Sequence, residues 1–85
     1  MDHDPRPVGK RELADLLGVN RGTPQLWKQR GLLPPADWPS VNGSEAWALD
    51  TVLVWAARTG RLESLPPNLR PRARRLAAEA NRQER

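Results

Sequence analysis

Three glycines limit the length of the helices that this chain can form. Gly18, Gly31 and Gly60 each stand at the end of a short segment whose apolar residues recur at helical spacing. Gly18 stands where a left-handed residue ends a helix at little cost in strain, and Gly31 and Gly60 end the other two segments. The sequence therefore predicts three short helices, separated by turns, before residue 61.

The first helix is predicted over residues 10–17. Leu13, Leu16 and Leu17 fall on one apolar face at the spacing of an amphipathic helix. Val8, just before this helix, is in position to pack on the same face. The sequence thus predicts a helix that packs on the core through this apolar face.

The second helix has two alternative starts. Asn20 can serve as its N-cap, or Thr23 can serve as the N-cap with Pro24 at the first helical position. Pro24 favours the later start, because proline loses no hydrogen bond there, whereas deeper in a helix it costs up to roughly 3 kcal/mol.

The third helix is predicted over residues 51–58. Either Asp50 or Thr51 has the side chain of an N-cap. Val52 and Trp55 fall on one face of this helix, so we expect that face to meet the core.

A small β-hairpin is predicted between the second and third helices. Asn42-Gly43 suits the positive φ angles of a tight hairpin turn, and short apolar segments flank it. Trp38 and Trp47 then lie on opposite strands. Beyond the third helix, a proline-rich joint leads to a helix-prone segment that offers mainly Leu69 and Leu76 for packing.

The predicted fold is mainly α with a small β-hairpin and a basic C-terminal helix or tail. We expect a flexible N-terminus over residues 1–7, one domain over residues 8–61, and a partly helical tail over residues 62–85. A chain this short buries only about 60–65% of its unfolded surface, so every large apolar side chain counts. The predicted core consists of Leu13, Leu16, Leu17, Leu26, Trp27, Trp47, Val52 and Trp55.

The charge of the chain is divided unevenly. Residues 1–60 hold seven basic and seven acidic side chains, whereas residues 61–85 hold seven arginines against three glutamates, which places the whole net charge of +4 in the C-terminal segment. A basic excess attracts phosphate-rich partners. No acid lies between Glu63 and Glu79, so the arginines there are candidates for contact with the DNA backbone or with a partner protein.

The sequence lacks the residues that several classes of function require. The chain has no cysteine, and its one histidine, His3, lies in a polar stretch, so we expect neither a disulfide nor a metal site. The sequence offers no nucleophile paired with a general base, and it has no glycine-rich phosphate loop. We therefore expect neither an enzyme nor a cofactor. With no apolar leader and no run near the ~18 apolar residues of a membrane span, we expect a cytoplasmic protein without a membrane partner.

The first two helices, joined by a tight turn, have the outline of a helix-turn-helix, whose second helix enters the DNA major groove. Arginine pairs with guanine edges, glutamine with adenine and the threonine methyl with thymine. Gly22 either lets the backbone come close to the DNA or is only a turn residue. The predicted major-groove residues are Arg21, Gly22, Thr23, Gln25, Lys28 and Gln29, with a phosphate contact as the alternative role for Lys28. The predicted backbone contacts are Lys10, Arg30, Arg70, Arg72, Arg74 and Arg75, and the predicted wing residues are Asn42, Gly43 and Ser44.

A family resemblance extends over residues 8–61. It rests on GVNRGTPQLWKQRGLLPP followed by WPSVNGSEAWALDTVLVWAARTGR. These segments resemble the winged helix-turn-helix domains of the MerR-like superfamily, above all small AlpA-like and phage excisionase proteins. The resemblance implies a recognition helix in the major groove and a hairpin wing on the adjacent backbone or minor groove. Two departures stand out: Pro24 replaces a β-branched apolar residue, and the wing tip carries no arginine.

The resemblance implies a small DNA-binding protein of phages or mobile elements. Residues 62–85 are too short and too rich in arginine to supply the dimerisation helix and effector domain of a MerR regulator. We therefore expect an excisionase that binds adjacent sites on double-stranded DNA, bends it and directs an integrase, with head-to-tail self-association and no small-molecule effector. The alternatives are a small transcriptional regulator and a protein-interaction module.

Overall fold

The computed structural model describes residues 6–41 and 44–83. The chain is mainly helical and carries a small antiparallel sheet. The helices are α1 (Lys10–Leu17), α2 (Thr23–Gln29), α3 (Leu49–Arg58) and α4 (Arg70–Gln83). The strands are β1 (Pro7–Gly9), β2 (Trp38–Val41) and β3 (Ser44–Ala48), and two single turns of 3-10 helix cover Leu62–Ser64 and Pro67–Leu69.

The sheet has three antiparallel strands in the order β1-β3-β2. The predicted hairpin is present as β2 and β3, with Trp38 opposite Ala46, while its turn at residues 42–43 lies outside the described residues. Strand β1 is an addition that the sequence did not predict, and it places Val8 opposite Trp47. Pro7 therefore already belongs to the sheet.

The ends of the first three helices are set by backbone geometry. Gly18, Gly31 and Gly60 have φ angles of 67°, 70° and 76°, which confirms the left-handed conformation expected of Gly18 and shows the same conformation at the other two. Helix α1 has the predicted bounds. Helix α2 begins at Thr23 with Gly22 as its N-cap, so the later start is correct to within one residue.

Helix α3 begins two residues before its predicted start. Its N-cap is Ala48, so the expected caps Asp50 and Thr51 are wrong. The backbone explains the difference, because the Leu49 N–H donates to the Arg6 carbonyl at 3.0 Å. The chain that leads into β1 thus satisfies one of the amides that lack a partner within the helix at its N-terminus.

The core lies between the sheet and helices α1, α3 and α4. Of the predicted core residues, five are buried: Leu13, Leu17, Trp47, Val52 and Trp55. Leu16 and Trp27 are partly buried and pack against this cluster. Other buried apolar side chains include Val8, Leu49, Leu53, Leu65 and Ala73.

The structure corrects the expectation that Leu26 belongs to the core. Its side chain is 51% exposed, whereas Pro24 is fully buried and Trp27 partly buried. Residues three apart share a helix face, so Pro24 and Trp27 together define the inner face of α2. Leu26 lies about 100° around the helix from Trp27 and faces outward.

Helix α4 packs along α3 and contributes to the same core. Arg72 pairs with Asp50 in the first turn of α3 at 3.0 Å, and Arg58 at the end of α3 donates to Asn81 at 3.0 Å. The two contacts show that the helices run parallel. Ala73 is fully buried, so the segment set apart as a tail by its composition shares the core of the domain.

Two buried indoles fix the chain between α2 and the hairpin. Trp55 Nε1 donates to the Leu32 carbonyl at 2.8 Å, and Trp47 Nε1 donates to the Pro34 carbonyl at 2.9 Å. The Ala48 N–H donates to the carboxylate of Asp37 at 2.8 Å. This connection is therefore held to the third helix and to the sheet at three points.

Arg61 covers the aromatic pair behind α2. The rings of Trp27 and Trp55 lie 5.3 Å apart at a tilt of 57°. The Arg61 guanidinium carbon lies 4.8 Å from the centre of the first ring and 5.0 Å from the second. These distances are those of cation–π contacts, a role that the sequence did not predict.

None of the helices within the described residues is both long and apolar enough to cross a membrane.

Replacing Trp55 by phenylalanine should destabilise the fold. The substitution removes the indole donor and leaves the Leu32 carbonyl without this partner, so we expect the free energy of unfolding to fall by about 1–3 kcal/mol. Urea denaturation measures the change. Trp38→Phe is the matched control, since Trp38 is 42% exposed and its replacement should cost less than about 0.5 kcal/mol. Equal losses from both variants would contradict the role given to Trp55.

Candidate nucleic-acid interface

The turn between α1 and α2 is built by local hydrogen bonds. The Val19 N–H donates to the Ala14 carbonyl at 3.0 Å, directly after the left-handed Gly18. The Asn20 side-chain oxygen accepts from the Gly22 N–H at 2.9 Å. Asn20 therefore stabilises the turn that precedes α2, which explains why a cap-forming residue stands there without starting the helix.

The outer face of α2 carries most of the side chains predicted to meet DNA. Pro24 is buried and Trp27 partly buried, so the opposite side of the helix is open. Thr23 is half-buried at the first position. The exposed residues on and beside this helix are Arg21, Gly22, Gln25, Leu26, Lys28, Gln29 and Arg30.

Three elements bring charged and amide groups together at one end of this face. Lys10 of α1 donates to the Gln25 side-chain oxygen at 2.8 Å. Lys28 of α2 donates to the carboxylate of Glu45 on β3. The same Glu45 Oε1 lies 3.7 Å from Lys10 Nζ. We call Lys10, Gln25, Lys28 and Glu45 the lysine–glutamate cluster.

The orientation of the Gln25 amide follows from its lysine partner. An ammonium group only donates, so the amide oxygen must face Lys10. The amide nitrogen is then the part of Gln25 that is left to contact another molecule. As a donor it suits acceptors on a base edge, such as guanine O6 and N7 or thymine O4.

Glu45 is the acidic member that the sequence analysis did not single out. The hydrogen bond from Lys28 lowers the pKa of its carboxyl group below the ordinary value, and the positive charges of Lys28 and Lys10 act in the same direction against desolvation. The group is therefore ionised at neutral pH. Its side chain is 19% exposed, compared with 44% for Lys28 and 30% for Lys10.

The predicted backbone-contacting arginines do not share one role. Arg70 donates to the carbonyls of Leu65 at 3.1 Å and Glu63 at 2.9 Å, and so holds the start of α4. Arg72 forms the ion pair with Asp50. Arg74 and Arg75 are exposed on α4. The first two guanidinium groups are therefore part of the fold, while the last two face outward.

The predicted wing lies partly outside the described residues. Asn42 and Gly43 fall in the gap, and Ser44 is the first residue of β3, paired with Val41. The hairpin strand nevertheless reaches the outer face of α2, because Glu45 directly follows Ser44 and contacts Lys28. The hairpin and the second helix thus meet at one surface.

Within the described residues no group of three or more His, Cys, Asp or Glu side chains is placed to hold a metal ion. No protein-family model, curated protein or solved structure matches the chain.

The pKa of Glu45 offers a direct test of the lysine–glutamate cluster. Replacing Lys28 by methionine should raise this pKa toward its ordinary value, because the strongest stabiliser of the carboxylate is lost. Since folding lowers the pKa, the pairing stabilises the fold above the ordinary carboxyl pKa and stops doing so as the pH falls through the lowered one. Carbon-detected NMR titration of the Glu45 carboxyl measures the shift.

Lys10→Met is the matched control for this titration. It removes the second lysine of the cluster and should raise the pKa of Glu45 by less than Lys28→Met does, because the Lys28 hydrogen bond is the largest cause of the lowering. An unchanged pKa in the Lys28 variant would show that the two side chains do not pair in solution.

Proposed function

We propose that this protein is a winged helix-turn-helix protein that binds specific sites on double-stranded DNA, with α2 in the major groove and the hairpin of β2 and β3 on the adjacent backbone. The observation that carries the proposal is the outer face of α2. It is short, basic and amide-bearing, and Pro24 and Trp27 hold it from behind. A surface of this kind fits the width and the hydrogen-bonding pattern of the major groove.

The roles of the side chains follow from their exposure. Arg21 and Gln29 are exposed on either side of Gln25 and are available for base edges. Arg30 is exposed at the end of the helix and suits a phosphate contact. Lys28 faces the hairpin, so it serves the DNA backbone better than a base.

We further propose that the protein acts as an excisionase in the bacterial cytoplasm, without a cofactor and without an enzymatic step of its own. Support comes from α4 and the 3-10 turn before it, because Leu69 of that turn and Ala73 and Leu76 of α4 pack on the core. Within the described residues, the outward side of this helix carries Arg74, Arg75 and Glu79 rather than an apolar seam for a coiled coil. Neighbouring copies and an integrase would then meet on the DNA itself.

Selection of duplex DNA from a random library, followed by protection mapping, tests both parts of this proposal. We expect one selected sequence motif, filled cooperatively at adjacent positions, with bending of the DNA. A single palindromic site filled by a dimer would instead indicate a transcriptional regulator. Absence of binding to any duplex at low salt would contradict the DNA-binding proposal and favour a protein-interaction module.

Gln25→Ala should weaken recognition at one base position of the selected site. Loss of the amide removes a donor to a base edge, so we expect discrimination at that position to fall by about 1–3 kcal/mol. Anisotropy titrations on single-base variants of the site measure the change. Asn68→Ala removes an exposed amide in the second 3-10 turn and should leave all positions unchanged.

The two outward arginines of α4 should contribute to affinity without contributing to specificity. Arg74→Gln with Arg75→Gln removes up to two phosphate contacts, so we expect the slope of log affinity against log salt to become shallower by up to about 1.8. An unchanged slope would remove α4 from the DNA interface. Truncation of α4 cannot replace these substitutions, because Ala73 is fully buried in the core.

A further inference from the structure

We propose that Lys10 and Lys28 together form a binding site for one DNA phosphate, and that the Glu45 carboxylate occupies this site in the free protein until a phosphate displaces it. The proposal rests on the DNA-binding function proposed above. It assigns to Glu45 the role of an internal competitor for DNA, and to the two lysines a single shared site.

The position of one carboxylate oxygen defines the site. Glu45 Oε1 accepts a hydrogen bond from Lys28 Nζ and lies 3.7 Å from Lys10 Nζ. Two ammonium groups that converge on one anionic oxygen suit a non-bridging phosphate oxygen equally well, because both anions are acceptors that carry a full charge. The carboxylate therefore stands where a phosphate oxygen would be bound.

The fold, rather than chance contact on the surface, brings the acid to the lysines. Strands β1 and β3 are antiparallel and pair Gly9 with Ala46. Lys10, the first residue of α1, follows Gly9, and Glu45 precedes Ala46, so the last pair of the register brings the lysine next to the acid. Lys28 approaches from α2, which Trp27 fixes against the core. All three backbones are set by the packed domain.

Displacement of Glu45 requires only side-chain rotation. Its backbone is held in β3, between β1 on one side and β2 on the other, whereas its side chain and that of Lys28 remain partly exposed. Exposed side chains change rotamer on a fast timescale. A phosphate can therefore exchange for the carboxylate while α2 and the hairpin keep their relative positions.

This exchange has a defined effect on the salt dependence of binding. Each phosphate neutralised by the protein releases condensed counter-ions from DNA. The displaced carboxylate stays on the protein close to the DNA, where it repels the phosphate and offsets part of the positive charge of the lysines. The wild-type protein should therefore show a weaker affinity and a shallower salt slope than a variant in which residue 45 is neutral.

Glu45→Gln, measured on the DNA sequence selected by the wild-type protein, tests the proposal. We expect about tenfold tighter binding at 50 mM salt and a slope of log affinity against log salt that is steeper by about 0.9, as for one further net phosphate contact. Glu45→Ala should change both quantities in the same direction and checks that the effect does not depend on the glutamine side chain.

Two controls separate a local effect from a general change in charge. Glu79→Gln removes the same charge from the exposed side of α4 and should change the affinity by less than about twofold, because screening limits the effect of distant charges. In a Lys28→Gln background, Glu45→Gln should improve the affinity by no more than about threefold, because only Lys10 is then released.

The outcomes distinguish this inference from the function on which it rests. If the wild-type protein binds selected DNA but Glu45→Gln binds no tighter, or if Glu79→Gln gives the same gain, the shared phosphate site is wrong while the DNA-binding proposal stands. If no variant binds duplex DNA, the proposed function fails and this inference fails with it.

Discussion

The position of α2 depends on the side chain of Trp55. The Trp55 ring packs at an angle against Trp27, and its Nε1 donates to the carbonyl of Leu32, one residue beyond the turn that ends α2. One side chain of α3 thus holds both the inner face of α2 and the chain that leaves it. A helix of seven residues is too short to be stable alone, so its orientation is imposed by this contact and by Arg61 above the two rings.

The features that were predictable from the sequence are those decided within a few residues. The ends of the helices follow from the freedom of Gly18, Gly31 and Gly60 to take positive φ angles, which is a property of each residue itself. The same holds for α1, whose leucines define its face, and for the hairpin around residues 42–43. In each case the signal and the structure it specifies lie on the same short segment.

The features that were missed depend on a partner far along the chain. Strand β1 has three residues with proline at one end and glycine at the other, so it carries no strand signal of its own and exists only because β3 pairs with it. Leu26 looks apolar enough for the core, but the buried face of α2 is set by Trp27 meeting α3. Arg72 and Arg74 are the same residue type in one basic run, but the first is half-buried beside Asp50 of α3 and the second is exposed.

The fold, rather than the charge of a block of sequence, therefore decides which charged side chains are available to a partner. Residues 1–60 sum to zero, yet their acids are used at particular points: Glu45 faces two lysines and Asp37 accepts a backbone N–H of β3. The attraction of a polyanion depends on the basic side chains that stay exposed after such pairs have formed. It also depends on those basic side chains from which a phosphate can displace a carboxylate. A carboxylate on a rigid strand is well suited to such exchange, because it returns to the same lysines whenever the phosphate leaves. In the proposed complex, one acidic side chain can then tune affinity for DNA without any change to the side chains on the outer face of α2.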